Sequence, residues 1–185
     1  AILEIDINEI PNDSYLSPDP GYFKKWTNLI PKNKKIKVGL RWQGNPLYEQ
    51  DLQRSVPFKD YESLLDIENI EFYSFQKENG TEEIPTGSRV INLENKLETW
   101  EDTAAALSCM DVVISSCTSV AHLSAALGIE TWVMCPLNSY YIWATPGDHS
   151  PWYKSVQLMR QTNRENWVGP ISRAREQLNQ KAHTQ

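Results

Sequence analysis

Six short apolar runs, rich in β-branched and aromatic residues, alternate along this chain with segments of helical periodicity. They are IKVGLRW (36–42), IEFYSFQ (70–76), RVINL (89–93), DVVIS (111–115), TWVMC (131–135) and SVQLMR (155–160). Short apolar runs bounded by turn residues predict strands buried on both faces. Between them the spacing predicts helices. One starts at Pro57 and places Phe58, Tyr61, Leu64 and Leu65 on one face. Another covers 99–110, capped by Thr99, with Glu101 and Asp102 at its positive end. A third runs from Ser119 and is closed by Gly128. Asp19-Pro20 opens a short helix to Leu29, which Pro31 and KNKK end, and Gly169-Pro170 delays the closing helix to about Pro170.

Strand–helix alternation with apolar strands predicts the α/β class: one doubly wound, mostly parallel sheet of about six strands with helices on both faces. Residues 46–56, 77–88 and 137–154 read as loops, and no internal repeat or low-complexity segment is present. The expected organisation is a lead-in segment with a short helix over 1–35, then the α/β domain over 36–185. The lead-in and the poor N-terminal helix content suggest a fragment of a larger protein.

The formal charge is −6 and no basic run occurs, which argues against nucleic-acid binding and against a membrane surface. No apolar stretch reaches the length of a membrane span. Cys109, Cys117 and Cys135 are odd in number and form no C-x-x-C pair; Cys109 and Cys135 lie in apolar segments and are expected to be buried thiols, in a reducing, cytoplasmic setting. His122, His149 and His183 are too scattered to build a zinc site with them, and no metal is expected.

A doubly wound sheet binds ligands beyond the carboxyl ends of its strands, so function is sought in the loops that follow them. The most informative is SSCTS (115–119), where the fourth strand meets a helix. The first N–H groups of a helix have no internal partner and its dipole is positive there. Small residues let an anion reach that backbone, and the Thr118 and Ser119 hydroxyls can add bonds, which makes the turn a candidate oxyanion or phosphate cradle. His122, three residues on, can lean back towards the same spot. The plainer reading is equally open: Thr118 or Ser119 merely caps the helix, and His122 is a packing residue. A third is a Cys117–His122 dyad, with the thiol acidified at the helix end.

After the first strand, Gly44 and Asn45 make a similar small-residue turn, and Arg54 can clamp a phosphate. Neither G-x-G-x-x-G nor G-x-x-x-x-G-K-[ST] is present, which weighs against ordinary dinucleotide and P-loop sites. Trp42, Tyr140, Tyr141, Trp143, Trp152 and Tyr153 can stack on a base or sugar, or bury the surface of another domain.

These segments, in order, resemble the C-terminal half of inverting GT-B glycosyltransferases of the heptosyltransferase-like type, as found after tetratricopeptide repeats in bacterial proteins. The matching pieces are SYLSPDPGYFKKW, KVGLRWQGNP, RSVPFKDYESLL, EFYSFQK, DTAAALSCMDVVISSCTSVAHLSAALG and TWVMCPLNSYYIWATPGDHSPWY, with a closing LMRQ and Trp167. The resemblance implies a Rossmann-like domain that binds a nucleotide-sugar as substrate, without a metal or other cofactor. Thr118, Ser119 and His122 fall on the family's diphosphate-contacting turn. Cys117 stands where an aspartate is commoner. Gly44, Asn45 and Arg54 fall on the first phosphate-facing loop, and Gln76 and Lys77 where family members contact the nucleotide. His122, if protonated, would help stabilise the leaving diphosphate. The general base would come from an N-terminal acceptor domain, which this chain is too short to hold. The chain alone is then expected to bind nucleotide weakly and not turn over. The alternative is a non-catalytic, transferase-like module that binds a protein partner. Cys117 and the missing base favour that alternative. The retained Thr118, Ser119, His122, Arg54 and Lys77 favour the donor site.

Overall fold

The structure is a computed structural model and describes residues 6–30 and 32–184. Strands β1 (Ile36–Arg41), β2 (Ile70–Ser74), β3 (Ile91–Asn92), β4 (Val112–Ser116), β5 (Glu130–Cys135) and β6 (Val156–Arg160) make one sheet in the order β3-β2-β1-β4-β5-β6. All neighbouring strands in it run parallel. The helices are α1 (Pro20–Leu29), α2 (Asp51–Arg54), α3 (Phe58–Leu65), α4 (Trp100–Leu107), α5 (Ser119–Ala126) and α6 (Val168–Thr184). This is the Rossmann-like α/β architecture that the alternation predicts.

Successive strand residues point to opposite faces, so each strand serves two cores. Val38, Leu40, Phe72, Ile114, Trp132 and Met134 pack under α3 and α6, against Tyr61, Leu64, Ile171, Ala174 and Leu178. Tyr73, Phe75 and Val113 pack on the other face against Trp26 and Ile30 of the α1 region, Ala105–Leu107 of α4, and Val120 of α5. Val133, Cys135 and Leu158 continue that face under Ala121 and Ala125 of α5, with Trp143 and Tyr153. Hence the strands carry apolar residues in both parities, which is why they read as continuous runs.

α1 belongs to this second layer. Trp26 is fully buried, and its indole N–H donates to Asp102 Oδ1 at 2.9 Å. Asp102 also closes the capping box of α4 with Thr99 and pairs with Lys25 at 2.7 Å. Asp19 accepts from the N–H groups of Gly21 and Tyr22, as a cap before Pro20 should. Ile30 follows the helix as its cap, and Pro31, expected to stop it, lies outside the described residues, as does 1–5 of the lead-in. The rest of the lead-in runs along α5: the N–H groups of Tyr15 and Leu16 donate to Ala126 O at 3.0 and 3.1 Å.

Three boundaries differ from the sequence expectation. α2 forms inside the segment read as a loop. β3 shrinks to Ile91–Asn92, an exposed edge pair. α6 starts at Val168, ahead of Gly169-Pro170, because a proline in the first helical turn loses no hydrogen bond. The sheet order reverses direction between β1 and β4. The two strands stay paired to Arg41 and Ser115, and the loops that follow them leave in opposite directions, which makes their carboxyl ends the topological switch point where such sheets hold ligands.

Candidate functional site

At the end of β4 the chain turns through Cys117 and Thr118 into α5. Thr118 is the cap residue, extended at φ −134° and ψ 171°, yet no side chain caps the helix. Its hydroxyl lies instead 3.1 Å from Ser115 Oγ, inside the protein. The N–H groups of Ser119 and Val120, in the helix's first turn, are thereby left without an intrahelical acceptor or a capping oxygen. Ser119 is exposed, and Thr118 is buried. Thr118 thus holds the cap position without capping the helix through its side chain.

The loop after β1 closes one side. Arg54, the last residue of α2, donates from Nε to Asp51 Oδ1 at 2.8 Å and from Nη1 to the carbonyl of Cys117 at 2.9 Å. Its guanidinium carbon also sits 4.6 Å from the centre of the Tyr48 ring. Asp51 has a side chain only 4% exposed, so this is a nearly buried pair. Gly44 lies directly beneath it: a Cβ there would clash with Arg54 Nη2 and come within 2.7 Å of Asp51 Oδ1. The close approach that requires Gly44 is thus made by Arg54. Asn45 is exposed and accepts from the N–H of Leu47 at 3.0 Å, forming the turn that leads into α2.

The expected pair Gln76 and Lys77 separates. Gln76 is completely buried. Its carbonyl oxygen accepts from the N–H groups of Trp42 and Gln43, and its amide donates to the carbonyls of Gln43 and Asn79. It ties the loops after β1 and β2 together and has no atom left for a nucleotide. Lys77 does face the crevice, with Nζ 2.6 Å from Leu97 O. The sequence reading missed Arg41, the last residue of β1. Its Nε donates to Gln43 O at 3.0 Å and its Nη1 to Phe75 O at 2.8 Å, and no carboxylate pairs with it among the described residues. Burial draws its pKa down and the nearby Glu78 charge opposes this, which leaves a cation held by carbonyl dipoles at the mouth of the cleft.

Three recesses meet at this edge. One, about 330 Å3, lies on the β2–β3 side between Arg41, Lys77, Glu78, Thr99 and Trp100. A second, about 370 Å3, lies on the β5 side between Tyr48, Gln53, Arg54, His122, Asn138 and Tyr140. A third, about 760 Å3, spans the middle between Gly44, Asn45, Lys77 and Thr118. Ser119 lines all three.

Cys117 and His122 do not form a reactive dyad. Cys117 is 7% exposed, and its sulfur accepts the Trp143 indole N–H at 3.1 Å. Burial pushes this thiol's pKa up, against the pull of that hydrogen bond and of Arg54. His122 stacks on Trp143 with ring centres 4.8 Å apart, and its Nδ1 is 3.3 Å from Tyr153 Oη. Burial lowers its pKa from the ordinary 6.5. Burial thus works against the protonated form expected of His122. Among the candidate aromatics, Trp42 is core, 4.8 Å from the Phe58 ring, and Trp143 and Tyr153 are buried. Tyr140 lines the β5-side recess, and Tyr141 stands exposed beside it. Among the described residues no group of three or more His, Cys, Asp or Glu side chains is placed to hold a metal ion.

Fold and site together define a Rossmann-like α/β domain with a cationic cleft at its switch point. Several solved structures share its fold, three of them as follows. Heptosyltransferase II of Escherichia coli, described as the ADP-heptose lipopolysaccharide enzyme, aligns with a TM-score of 0.62 at 15% identity over 91% of this chain and 53% of its own. A glycosyl transferase family 9 protein of Veillonella parvula aligns with 0.60 at 13% identity, over 92% and 53%. The E. coli heptosyltransferase WaaC with ADP aligns with 0.58 at 15%, over 86% and 48%. The chain thus spans about half the length of the glycosyltransferases whose fold it shares. No protein-family model and no curated protein sequence matches it.

Proposed function

We propose that this chain is the nucleotide-diphosphate-sugar binding domain of an inverting glycosyltransferase, corresponding to the C-terminal half of the heptosyltransferase-like GT-B proteins. The observation that carries this is the cluster at the switch point. The uncapped N–H groups of Ser119 and Val120 face a cleft that also holds Arg41 and Lys77. When the bond to the sugar breaks, the leaving diphosphate gains negative charge. Fixed N–H dipoles and two cations in a partly dry cleft stabilise that charge more than they stabilise the ground state. In this reading they do the work a metal ion would otherwise do. Arg54 acts at one remove, by fixing the Cys117 carbonyl and so the turn that presents Ser119. Gly44 gives Arg54 its room, and Asn45 and Lys77 line the path of the phosphates.

The reading leaves the general base and the acceptor to a second domain, of the kind that occupies the rest of the aligned glycosyltransferases. That domain, with or without helical repeats, is the expected partner, and this domain alone binds donor without turnover. Calorimetry of the chain with UDP, ADP, GDP and CDP tests this. Selective binding of one diphosphate supports it, and no binding of any at millimolar concentration would defeat it. A second reading, a binding module without transferase chemistry, is favoured by one observation. The position of the commoner aspartate holds the neutral, buried thiol of Cys117.

A further inference from the structure

Two threonines hold the same place on different helices and behave differently. Thr99 precedes α4 at φ −127° and ψ 169°, and Thr118 precedes α5 at φ −134° and ψ 171°. The backbone offers both hydroxyls the same choice. A threonine in this conformation ordinarily caps its helix, its oxygen accepting from an N–H of the first turn. Thr99 does so, accepting from the N–H of Asp102 at 3.1 Å, and Thr118 does not. From this contrast we infer that Ser115 is a positioning residue for the diphosphate: it holds the Thr118 hydroxyl away from the start of α5, so that the first N–H groups of that helix stay open to the ligand. This rests on the donor-domain reading above.

What separates the two threonines is the destination of the hydroxyl proton. Thr99 donates its O–H to the Asp102 carboxylate at 3.1 Å. The corresponding position of α5 is Ala121, which has no side-chain acceptor. Ser115 supplies one. Its own hydroxyl donates to the carbonyl of Ser116 at 2.8 Å, so in its 3.1 Å contact with Thr118 it is the acceptor and Thr118 the donor. Ser115 is fully buried in β4, paired with Arg41 of β1 and Val133 of β5, and the sheet fixes its place. A β-branched side chain has few staggered positions, and a Thr118 hydroxyl turned to Ser115 is turned away from the helix. The N–H groups of Ser119 and Val120 are left facing the recess that also holds Arg41.

Removing the Ser115 hydroxyl reverses the choice. Thr118 would then keep a buried O–H without an acceptor, which is costly. The conformation that Thr99 adopts becomes the favourable one. In it the Thr118 oxygen accepts from the first turn of α5 and stands where a phosphate oxygen would bind. Ser115→Ala therefore closes the site through its neighbour, although Ser115 itself touches no ligand.

Calorimetry of the wild type, Ser115→Ala and Ser115→Ala/Thr118→Val with UDP, ADP, GDP and CDP tests this. Valine keeps the shape of threonine and cannot cap, so the second substitution reopens what the first closes. If capping shuts the site in about nine molecules of ten, the Kd of the preferred diphosphate rises about tenfold in Ser115→Ala. The double variant is expected to return to within about threefold of wild type. An unchanged Kd in Ser115→Ala would overturn the inference. Equal weakening in both variants would also overturn it, because Ser115 would then act on the strand and not through Thr118. Should Ser115→Ala fail to fold, Ser115→Cys, whose sulfur is a weak acceptor, serves the same comparison.

A second readout needs no ligand. Three-bond NMR couplings to Cγ2 report the χ1 of each threonine. In the wild-type chain Thr99 and Thr118 are expected in different staggered positions, and in Ser115→Ala in the same one. A Thr118 that keeps its wild-type rotamer in Ser115→Ala would overturn the inference whatever the binding data. Failure of the wild type to bind any diphosphate would remove the donor-domain reading, and the positioning role with it, while the couplings still report whether Ser115 sets the rotamer.

Discussion

Arg54 donates to the carbonyl oxygen of Cys117 across 2.9 Å, and this bond joins the loop after β1 to the turn after β4. The two strands meet at the switch point, so the bond spans the crevice where ligand is expected. The same guanidinium neutralises Asp51, whose only other described side-chain partner is the Ser55 hydroxyl at 3.1 Å.

Arg54→Ala should therefore destabilise the fold as well as the site. It strands a nearly buried carboxylate, a loss of about 3 kcal/mol by analogy with other broken buried pairs. In a domain of this size that is a fall in Tm of roughly 6–12 °C, read by differential scanning fluorimetry. Arg54→Lys should not restore it, because one ammonium cannot reproduce the two-sided fork on Asp51 and Cys117. Gly44→Ala should lower Tm through the same pair, since its Cβ would occupy the space of the guanidinium.

Gln76→Leu separates a structural role from a ligand role. The side chain satisfies two buried N–H groups and two carbonyls. Removing it should cost about 2–4 kcal/mol, measured by urea denaturation, because buried donors lose their acceptor. A stability unchanged within about 0.5 kcal/mol would mean that Gln76 is free to face a ligand.

The thiols should be slow. Cys117 and Cys135 are buried, and burial pushes both pKa values up, that of Cys135 to about 12. Iodoacetamide at neutral pH, followed by mass spectrometry, should modify the partly exposed Cys109 first. Rapid labelling of Cys117 in the folded protein would revive a nucleophilic role for it.

His122 makes stability depend on pH in a defined direction. Its folded pKa lies below the ordinary 6.5, so the unfolded chain binds the proton more readily. The stabilising contribution is complete above pH 6.5 and is lost as pH falls through the lower, folded value. His122→Phe should flatten that slope between about pH 7 and 5. A slope unchanged by the substitution would mean that the imidazole titrates as it does in water.

The fold was legible because its strands are buried on both faces, so ILV-rich runs such as Val112–Ser116 need no alternation to be recognised. The small-residue turn between β4 and α5 was legible too, and the structure adds that no side chain caps the helix it opens. Four features were hidden. Arg41 ends an apolar strand and reads as its polar terminus, and only the sheet shows that it opens into the cleft. Gln76 and Lys77 are adjacent in sequence, and where the chain leaves β2 one turns inward and the other outward, a choice made by the loop after β1. α2 is a four-residue helix held by Arg54 and Asp51, too short for any periodicity. The fate of Trp42 and Trp143, both wholly buried, was set by packing partners distant in sequence.

The backbone of Ser119 carries the central claim, and one substitution isolates it. Proline is tolerated at the first position of a helix, and the extended Thr118 before it has the conformation a proline demands. Ser119→Pro should thus preserve α5 while deleting one N–H donor, and Ser119→Ala deletes only the hydroxyl. Calorimetry of both variants and the wild type with the preferred nucleoside diphosphate is the decisive measurement. The account predicts binding by the wild type, a Kd within about threefold for Ser119→Ala, and a loss of tenfold or more for Ser119→Pro, on the order of one charge-assisted hydrogen bond. A Ser119→Pro protein that melts like wild type and binds the diphosphate equally well would contradict it.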